Sequence, residues 1–377
     1  MTHSVFVRSE MQDALPPPRR TTGIGAWVRA NLFSSPGNTA MTLLGFAFIA
    51  WIVPPLYDFF VARAVFTDPE QLRGAACRVE DVGACWIFVK ARFQFFIYGF
   101  YPDDQIWRVN TMFLLGIVLL IPLLLPRAPF TRTAAFLFFL VYPVVSFILM
   151  TGGILGLRYV PSAEWGGLTL TLIIAFVGII ASLPIGILLA LGRQSKLPAV
   201  KLFSVAFIEL WRAVPLITVL FMASVMFPLF MPRGVNPDTL LRAIIGIIFF
   251  ESAYMAEVVR GGLQAIPRGQ YEAANALGLS KVKTMVFIIL PQALKHVIPG
   301  IVNTFIALFK DTSLVSIIGI FELLRAVRSA GADPNWISPT MAVTGYIFAG
   351  FIFWVFCFSM SRYSIYMENR LHTGHKR

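Results

Sequence analysis

A hydrophilic loop between two long apolar segments carries the pattern that decides the fold of this chain. It reads EAANALG at residues 272–278, and Ile288 and then Leu290-Pro291 follow downstream. Two successive alanines leave little side-chain bulk, so a helix over this stretch can lie deep in a groove of another protein. The glutamate ahead of them offers that partner a charge. The pattern therefore predicts a helical loop that contacts a second protein.

Each half of this loop carries the signals of a short helix. Pro267 suits a first helical turn, where its missing N–H group is not needed. We expect this helix to run to about Leu277 and Gly278 to end it in the left-handed conformation. Ser280 can cap a second helix, which we expect Pro291 to close. The sequence thus predicts two helices joined by a glycine turn.

The composition is that of a membrane protein. Of the 377 residues, 57% are hydrophobic and only 13% are charged, whereas charged residues make up about a quarter of a typical soluble domain. Apolar runs of about twenty residues recur, and each can cross ~30 Å of hydrocarbon. Helices satisfy their backbone groups internally, as a lipid-embedded segment must. We predict an all-α, polytopic membrane protein with about eight transmembrane helices.

The apolar segments and the charges between them define the predicted organisation. The spans fall near residues 39–57, 109–125, 134–155, 166–191, 203–230, 240–259, 297–324 and 339–360. Lys and Arg are concentrated in segments that this count places inside, so we expect both termini to be cytoplasmic. The predicted parts are a cytoplasmic tail (1–38), an N-terminal extension (39–160) with about three spans and an external loop (58–108), and a core (161–370) with five spans and the hydrophilic loop (260–295).

The net charge of +12 does not indicate a nucleic-acid partner. The basic residues lie beside the ends of apolar segments, where the positive-inside rule places them. No cluster of metal ligands and no G-x4-GK[ST] loop occurs, and the chain has no Gly-Lys dipeptide. We therefore predict no metal, no cofactor and no enzymatic activity of its own; a separate ATPase must supply any energy from ATP.

The hydrophilic loop resembles the cytoplasmic coupling loop of permease subunits in ABC-type importers, whose pattern is EAA-x3-G-x9-I-x-LP. The residues that match it are Glu272, Ala273, Ala274, Gly278, Ile288, Leu290 and Pro291. Further segments resemble permeases of polar amino-acid importers (the histidine/glutamine permease family): GLTLTL at 167–172, FIELWRAVPL at 207–216, AYMAEVVRGG at 253–262 and KDTSL at 310–314. With YPDDQIWR at 101–108, the nearest subgroup is the M-type permease of general L-amino-acid transport systems.

This resemblance implies an ABC type I importer permease core in the bacterial inner membrane. The implied partners are a second homologous permease subunit, ABC ATPase subunits, a periplasmic amino-acid-binding protein and the L-amino acids carried. The coupling loop would contact the ATPase. Two alternatives remain: an ion-coupled secondary amino-acid carrier, and a non-transporting membrane scaffold for a signalling ATPase.

Ionisable residues at membrane depth suggest a substrate path. Glu251 has no obvious local partner, and Lys310, Asp311, Thr312 and Ser313 interrupt an apolar region. Such an interruption is typical of a discontinuous helix near a substrate site, and a zwitterionic amino acid needs both a cation and an anion. The alternatives are a gate or packing motif, or mutual neutralisation of the two adjacent charges.

Two further pairs of opposite charge have helical i,i+3 spacing near the predicted cytoplasmic ends of their spans. They are Glu209 with Arg212 and Glu257 with Arg260. Residues three apart are neighbours on a helix surface, so we interpret both pairs as structural ion pairs.

The cysteines allow one disulfide. Cys77 and Cys85 lie in the predicted external loop, and disulfides persist in oxidising compartments. We expect them to pair, because a polar loop of this size has little core to order it. Cys357 lies in the last apolar segment, where a small hydrophobic role is expected.

Overall fold

The architecture is helical throughout the part of the chain that the structure describes. This computed structural model describes residues 23–67, 74–125, 128, 130–232, 234, 235 and 237–371. Within these ranges β-pairing is limited to three isolated bridges, so the predicted all-α class is confirmed. Residues 1–22 of the predicted tail (1–38) and residues 68–73 of the predicted external loop (58–108) lie outside the described residues.

The α-helices within these ranges alternate between long, apolar segments and short connecting ones. They are α1 (Ile24–Asn31), α2 (Pro36–Tyr57), α3 (Trp86–Tyr98), α4 (Ile106–Leu124), α5 (Thr131–Phe136), α6 (Tyr142–Thr151), α7 (Gly167–Arg193), α8 (Pro198–Ala213), α9 (Leu216–Phe221), α10 (Thr239–Ala265), α11 (Arg268–Ala276), α12 (Lys281–Thr284), α13 (Leu290–His296), α14 (Ile298–Asp311), α15 (Leu323–Gly331) and α16 (Pro339–Leu371).

Seven of the described helical stretches are long and apolar enough to cross a membrane: Pro36–Ala62, Asp103–Leu124, Thr131–Thr151, Gly167–Arg193, Thr239–Ala265, Ile298–Ile318 and Pro339–Leu371. Helix α8 and the segment Leu216–Phe230 pass the same test together, although they are bent by 103°. Counted as one span, this pair brings the number to eight. The predicted count of about eight is therefore confirmed.

The bend between α8 and α9 corrects the prediction of one uninterrupted span at 203–230. Val214 is extended (φ −113°, ψ 136°) and Pro215 precedes the first turn of α9. A proline disfavours the helical conformation in the residue before it, so the helix ends at Ala213 although the sequence stays apolar. Hydrophobicity alone does not show such a break.

The predicted interruption at Lys310–Ser313 is also corrected. Helix α14 runs through Asp311 and continues as a 3₁₀-helix, Thr312–Ile318, which ends at Gly319 with a φ of +95°. The Thr312 hydroxyl donates to the Phe309 carbonyl (2.7 Å) and the Ser313 hydroxyl to the Lys310 carbonyl (2.8 Å). These polar groups are satisfied inside the helix, so it need not unwind there.

Glycines on α7 allow the central helices to approach closely. A Cβ atom at Gly186 would lie 2.7 Å from the Met255 side chain of α10, and one at Gly178 would lie 3.0 Å from the Leu308 side chain of α14. Small residues at such contacts are the usual basis of helix packing in membranes. Helices α10 and α14 therefore pack closely against α7.

The chain forms two compact units. The described residues of Met1–Ala64 with Asp81–Ala84 form the first; there the Gly83 amide donates to the Arg63 carbonyl (2.9 Å). The second comprises the described residues of Val65–Glu80 and Cys85–Arg377, with α3 to α16. The predicted boundary near residue 160, between an extension and a transport core, stays a prediction.

Candidate functional site

The loop between α10 and α13 contains a helix with a complete glycine-terminated end. Helix α11 begins after Pro267, one residue later than predicted, and Gly278 has a φ of +71°. The Leu279 amide donates to the Ala274 carbonyl (3.1 Å) and the Gly278 amide to the Asn275 carbonyl (3.0 Å). This pair of hydrogen bonds is the Schellman motif, which satisfies the last carbonyls of a helix. The left-handed glycine turn has the predicted place and conformation.

Helix α11 has one face against the protein and one face free. Ala274 is buried, and Tyr271, three residues earlier, packs against an apolar cluster that includes Ile289. Glu272 and Ala273 are exposed. The charge and the small side chain are thus presented outward, as the sequence predicted for a contact with a partner.

Three large apolar side chains of this loop are exposed. Leu277, Val282 and Phe287 are 77%, 73% and 74% exposed. They lie in a connecting loop outside the candidate spans. Exposed apolar groups gathered on one loop mark a protein-contact surface.

The second half of the loop anchors it to the body. The Ser280 hydroxyl accepts a hydrogen bond from the Lys283 amide (3.4 Å) and caps α12, and a π-helical turn, Met285–Ile289, leads into α13. Ile288 and Leu290 pack against the apolar cluster of α10. Pro291 is exposed and does not close a helix, which corrects that expectation, because it occupies the first turn of α13.

A cluster of five charges lies where α7, α8 and α10 meet. Arg193 of α7 contacts Glu209 (2.9 Å) and Glu257 (3.0 Å). Glu257 also contacts Arg212 (3.6 Å) and Arg260 (2.6 Å). The predicted pairing of Glu257 with Arg260 is present. The predicted pairing of Glu209 with Arg212 is not among the ion pairs of the described residues, because each of these side chains meets a charge on another helix instead.

The residues proposed for a substrate path lie in different environments. Glu251 is buried (3% exposed) on α10, which packs against α14, the helix that ends at Asp311. Thr312 is buried and hydrogen-bonded within its own helix. Lys310 and Ser313 instead line a cavity of about 290 Å³. The structure therefore does not place all five residues on one surface, and their role in a substrate path stays a prediction.

The two loop cysteines lie together in the structure. Cys77 and Cys85 form a disulfide with Cα atoms 5.9 Å apart, and both are buried beside an apolar cluster that includes Trp336. The Cys85 amide also donates to the Thr344 hydroxyl of α16 (2.9 Å). Cys85 is thus held against α16. Cys357 is free and half-buried.

Comparison with known proteins decides the family. Residues 182–373, about half of the chain, match the family described as "Binding-protein-dependent transport system inner membrane component". The chain belongs to this family. It is 53% identical over 349 residues to the inner membrane amino-acid ABC transporter permease protein YhdY of Escherichia coli (strain K12), covering 92% of this chain and 93% of the relative.

A second relative of this family matches over the full length of both chains. It is the glutamate/glutamine/aspartate/asparagine transport system permease protein BztC of Rhodobacter capsulatus, which is 39% identical. Among solved structures, the crystal structure of an amino acid ABC transporter with histidines has a TM-score of 0.48 and 29% identity, covering 54% of this chain and 92% of that chain.

The family match and the two relatives confirm the predicted resemblance to permease subunits of amino-acid ABC importers. They favour an importer permease over the alternative of an ion-coupled secondary carrier. The chain is a multi-pass membrane permease of this family.

Sequence reasoning missed two features of this site. The role of Arg193 depends on three helices meeting, which no local spacing reveals. The exposed patch of Leu277, Val282 and Phe287 had a visible signal, namely large apolar residues inside a loop rich in charge. Their exposure, however, becomes evident only once α11 and the π turn are formed.

Proposed function

We propose that this chain is the permease subunit of an ABC type I importer that moves L-amino acids across the bacterial inner membrane. The observation that carries the proposal is the free face of α11, where Glu272 and Ala273 are exposed ahead of the left-handed turn at Gly278. A helix with small, exposed residues and a fixed end suits insertion into a groove of an ATPase. Family membership and the relatives' names support the transport of amino acids.

The proposed complex contains partners for each part of the cycle. A second homologous permease subunit completes the translocation path. Each of two ABC ATPase subunits binds the α11 loop of one permease. A periplasmic binding protein delivers the amino acid. Both termini and the α11 loop face the cytoplasm in this arrangement, because the basic residues flank the spans on that side. The disulfide between Cys77 and Cys85 then lies in the periplasm, which is an oxidising compartment.

The test is uptake by the complete complex in proteoliposomes. We expect uptake of a radiolabelled amino acid to require ATP on the side of the α11 loop and loaded binding protein on the other side. Uptake should be unchanged when ionophores collapse ion gradients, and it should stop when an ATP analogue that cannot be hydrolysed replaces ATP. Uptake that follows an imposed ion gradient without ATP would instead establish a secondary carrier.

A further inference from the structure

Helix α8 is connected to its neighbours by irregular backbone at both ends. Residues 194–197 form a short connection from α7, and the extended Val214 with Pro215 leads into α9, where the helix pair bends by 103°. Helix α10 is instead continuous from Thr239 to Ala265, and only two residues separate it from α11. Helix α8 can therefore move relative to α10 without the unwinding of either helix.

Apolar packing holds α8 against α10 but does not by itself fix their register. Ile208 is buried in the same apolar cluster as Val259. The rings of Phe207 and Trp211 each have their centre 5.5 Å from the centre of the Phe249 ring. Because the hydrophobic effect is not directional, these contacts do not select one position of α8 along α10.

A charged contact supplies that selection. The Nη1 atom of Arg212 lies 3.6 Å from Oε2 of Glu257, and the same guanidinium lies 5.7 Å from the centre of the Tyr254 ring. Both partners lie on α10, three residues apart. The side chains of Arg212 and Glu257 are 35% and 15% exposed, so salt and water screen their attraction incompletely. The last turn of α8 is thus held at one level of α10.

Arg212 has a second carboxylate within reach on its own helix. Glu209 lies three residues earlier, and residues three apart are neighbours on a helix surface. In this structure Glu209 contacts Arg193 of α7 instead (2.9 Å). Helix α8, all of whose residues are described, contains no other acidic residue. Its sequence therefore offers Arg212 a single alternative partner.

The whole charge cluster can be paired in two ways. Glu257 contacts Arg260 of its own helix (2.6 Å) as well as Arg193 of α7 (3.0 Å). If α8 moved away from α10, Glu257 would keep these two arginines, and Arg212 would gain Glu209 in exchange. A charge left without a partner beside the membrane interior is costly. The exchange avoids that cost, because each charge keeps a partner in both arrangements.

We propose that Arg212 is a positioning residue for transport, which joins α8 to α10 through Glu257 in the present conformation and passes to Glu209 when the two helices separate. This rests on the proposed function and adds a step of its conformational cycle to it. While Arg212 and Glu257 are paired, a movement of α10 displaces α8 as well. Once Arg212 has passed to Glu209, α8 moves independently.

The first test compares two arginines that share one carboxylate. Arg212→Gln and Arg260→Gln each remove one guanidinium from Glu257, and that of Arg260 is the closer, at 2.6 Å against 3.6 Å. Arg260, however, lies on α10 itself. In proteoliposomes that contain the complete complex, with saturating loaded binding protein, Arg212→Gln should lower uptake per ATP hydrolysed about fivefold, the upper end for one partly exposed ion pair. Arg260→Gln should lower it less than about twofold.

Two outcomes of this comparison decide the role of Arg212. Arg212→Lys, which keeps the positive charge, should restore most of the lost uptake per ATP. An equal or larger loss in Arg260→Gln would overturn the proposal, because the balance of charge around Glu257 would then matter and the contact between helices would not. Uptake is divided by ATP hydrolysed, so a smaller amount of folded complex lowers both quantities alike and does not imitate a loss of coupling.

A double-mutant cycle tests whether Arg212 acts through Glu257. Glu257→Gln should lower uptake per ATP at least as much as Arg212→Gln does. Adding Arg212→Gln to Glu257→Gln should lower it no further, because both changes remove the same contact between helices. A further fall of about fivefold in the double variant would show that the two residues act independently, and it would overturn the proposal.

Glu209→Gln tests the exchange of partners. This change leaves Arg212 paired with Glu257 but removes its alternative, so ATP hydrolysis and uptake should slow together by about threefold, with uptake per ATP unchanged. Arg193→Gln is the control, because it also breaks the contact between Arg193 and Glu209 but leaves Glu209 available to Arg212. Equal slowing in both variants, or no slowing in Glu209→Gln, would overturn the exchange.

The wild-type complex separates this inference from the function on which it rests. Wild-type uptake that needs no ATP would refute the proposed function itself. Wild-type uptake that needs ATP, together with unchanged uptake per ATP in Arg212→Gln, would overturn the role of Arg212 alone.

Discussion

Substitutions at Gly278 distinguish the effect of backbone strain at the turn from the effect on binding of the ATPase. The φ of +71° is costly for any residue with a Cβ atom, by about 1 kcal/mol. No atom lies within 4 Å of a Cβ built at this position. In the permease alone, Gly278→Ala and Gly278→Asp should therefore destabilise the loop by about the same 1 kcal/mol, which is not enough to unfold a loop anchored through Ile289.

The two variants should differ only when the ATPase is present. If its groove encloses the turn, the aspartate of Gly278→Asp loses water without gaining a partner, at a cost of several kcal/mol. At 1.4 kcal/mol per tenfold, about 3 kcal/mol corresponds to roughly a hundredfold weaker association. The association of Gly278→Ala with the ATPase should be about fivefold weaker. Gly269→Ala, on the same helix with an ordinary φ and open space, is the matched control and should retain full binding.

The assay combines three measurements on each purified variant. The unfolding temperature of the permease in detergent should be similar for both Gly278 variants. The amount of ATPase retained on immobilised permease should fall in the order Gly269→Ala, Gly278→Ala, Gly278→Asp. ATP-driven uptake should fall in the same order. Equal retention and uptake for Gly278→Ala and Gly278→Asp would show that the space around Gly278 stays open in the complex. The assignment of this loop to ATPase coupling would then be wrong.

Three further predictions concern other parts of the molecule. Glu257→Gln removes the carboxylate that three arginines share, so the free energy of unfolding should fall by about 2 kcal/mol. Glu209, whose side chain is 56% exposed, is the control, and Glu209→Gln should lower the free energy of unfolding by less than about 1 kcal/mol. Equal losses in the two variants would contradict a shared role for Glu257. Burial raises the pKa of Glu322 from 4.5 to about 7, so its contribution to stability is complete below pH 4.5 and is lost as the pH rises through 7. Glu322→Gln should therefore remove up to about 3 kcal/mol of pH dependence between pH 5 and 8; an unchanged slope of melting temperature against pH would contradict this. Cys77→Ser should lower stability by about 2 kcal/mol. In a protein whose free Cys357 is replaced by Ser, no thiol should react after unfolding without prior reduction, and labelling there would show that the bridge is absent.

Local signals made the coupling loop predictable. The turn at Gly278 depends on the conformational preference of one residue, so the sequence alone placed it correctly, and α11 begins after Pro267, one residue later than predicted. Pro291 misled for a related reason. Its ring is disfavoured inside a regular helix, but it fits the first turn of α13 after a π turn, and that turn positions Ile289 in the core.

Features that depend on several helices could not be predicted. The break before Pro215 lies in an unbroken apolar run, and hydrophobicity gives no bend angle. The position of Arg193 between two glutamates requires α7, α8 and α10 to be assembled first. The polar run from Lys310 predicted a break that is absent, because the hydroxyl groups of that run hydrogen-bond to their own helix, a solution that composition does not reveal.

Helix α10 connects the coupling loop to the membrane interior without a flexible joint. It is continuous from Thr239 to Ala265, and only Ile266 and Pro267 separate it from α11. On its other side, a Cβ atom at Gly262 would meet the backbone of Ala293, so α13 lies directly against it. In the proposed complex, a displacement of α11 by the ATPase would therefore be passed to α10 and, through it, to Glu257 among its arginines. Arg212 lies in the last turn of α8, just before the bend, and forms an ion pair with Glu257 of α10. A movement of α10 would therefore act on α8 through this ion pair and not through the backbone.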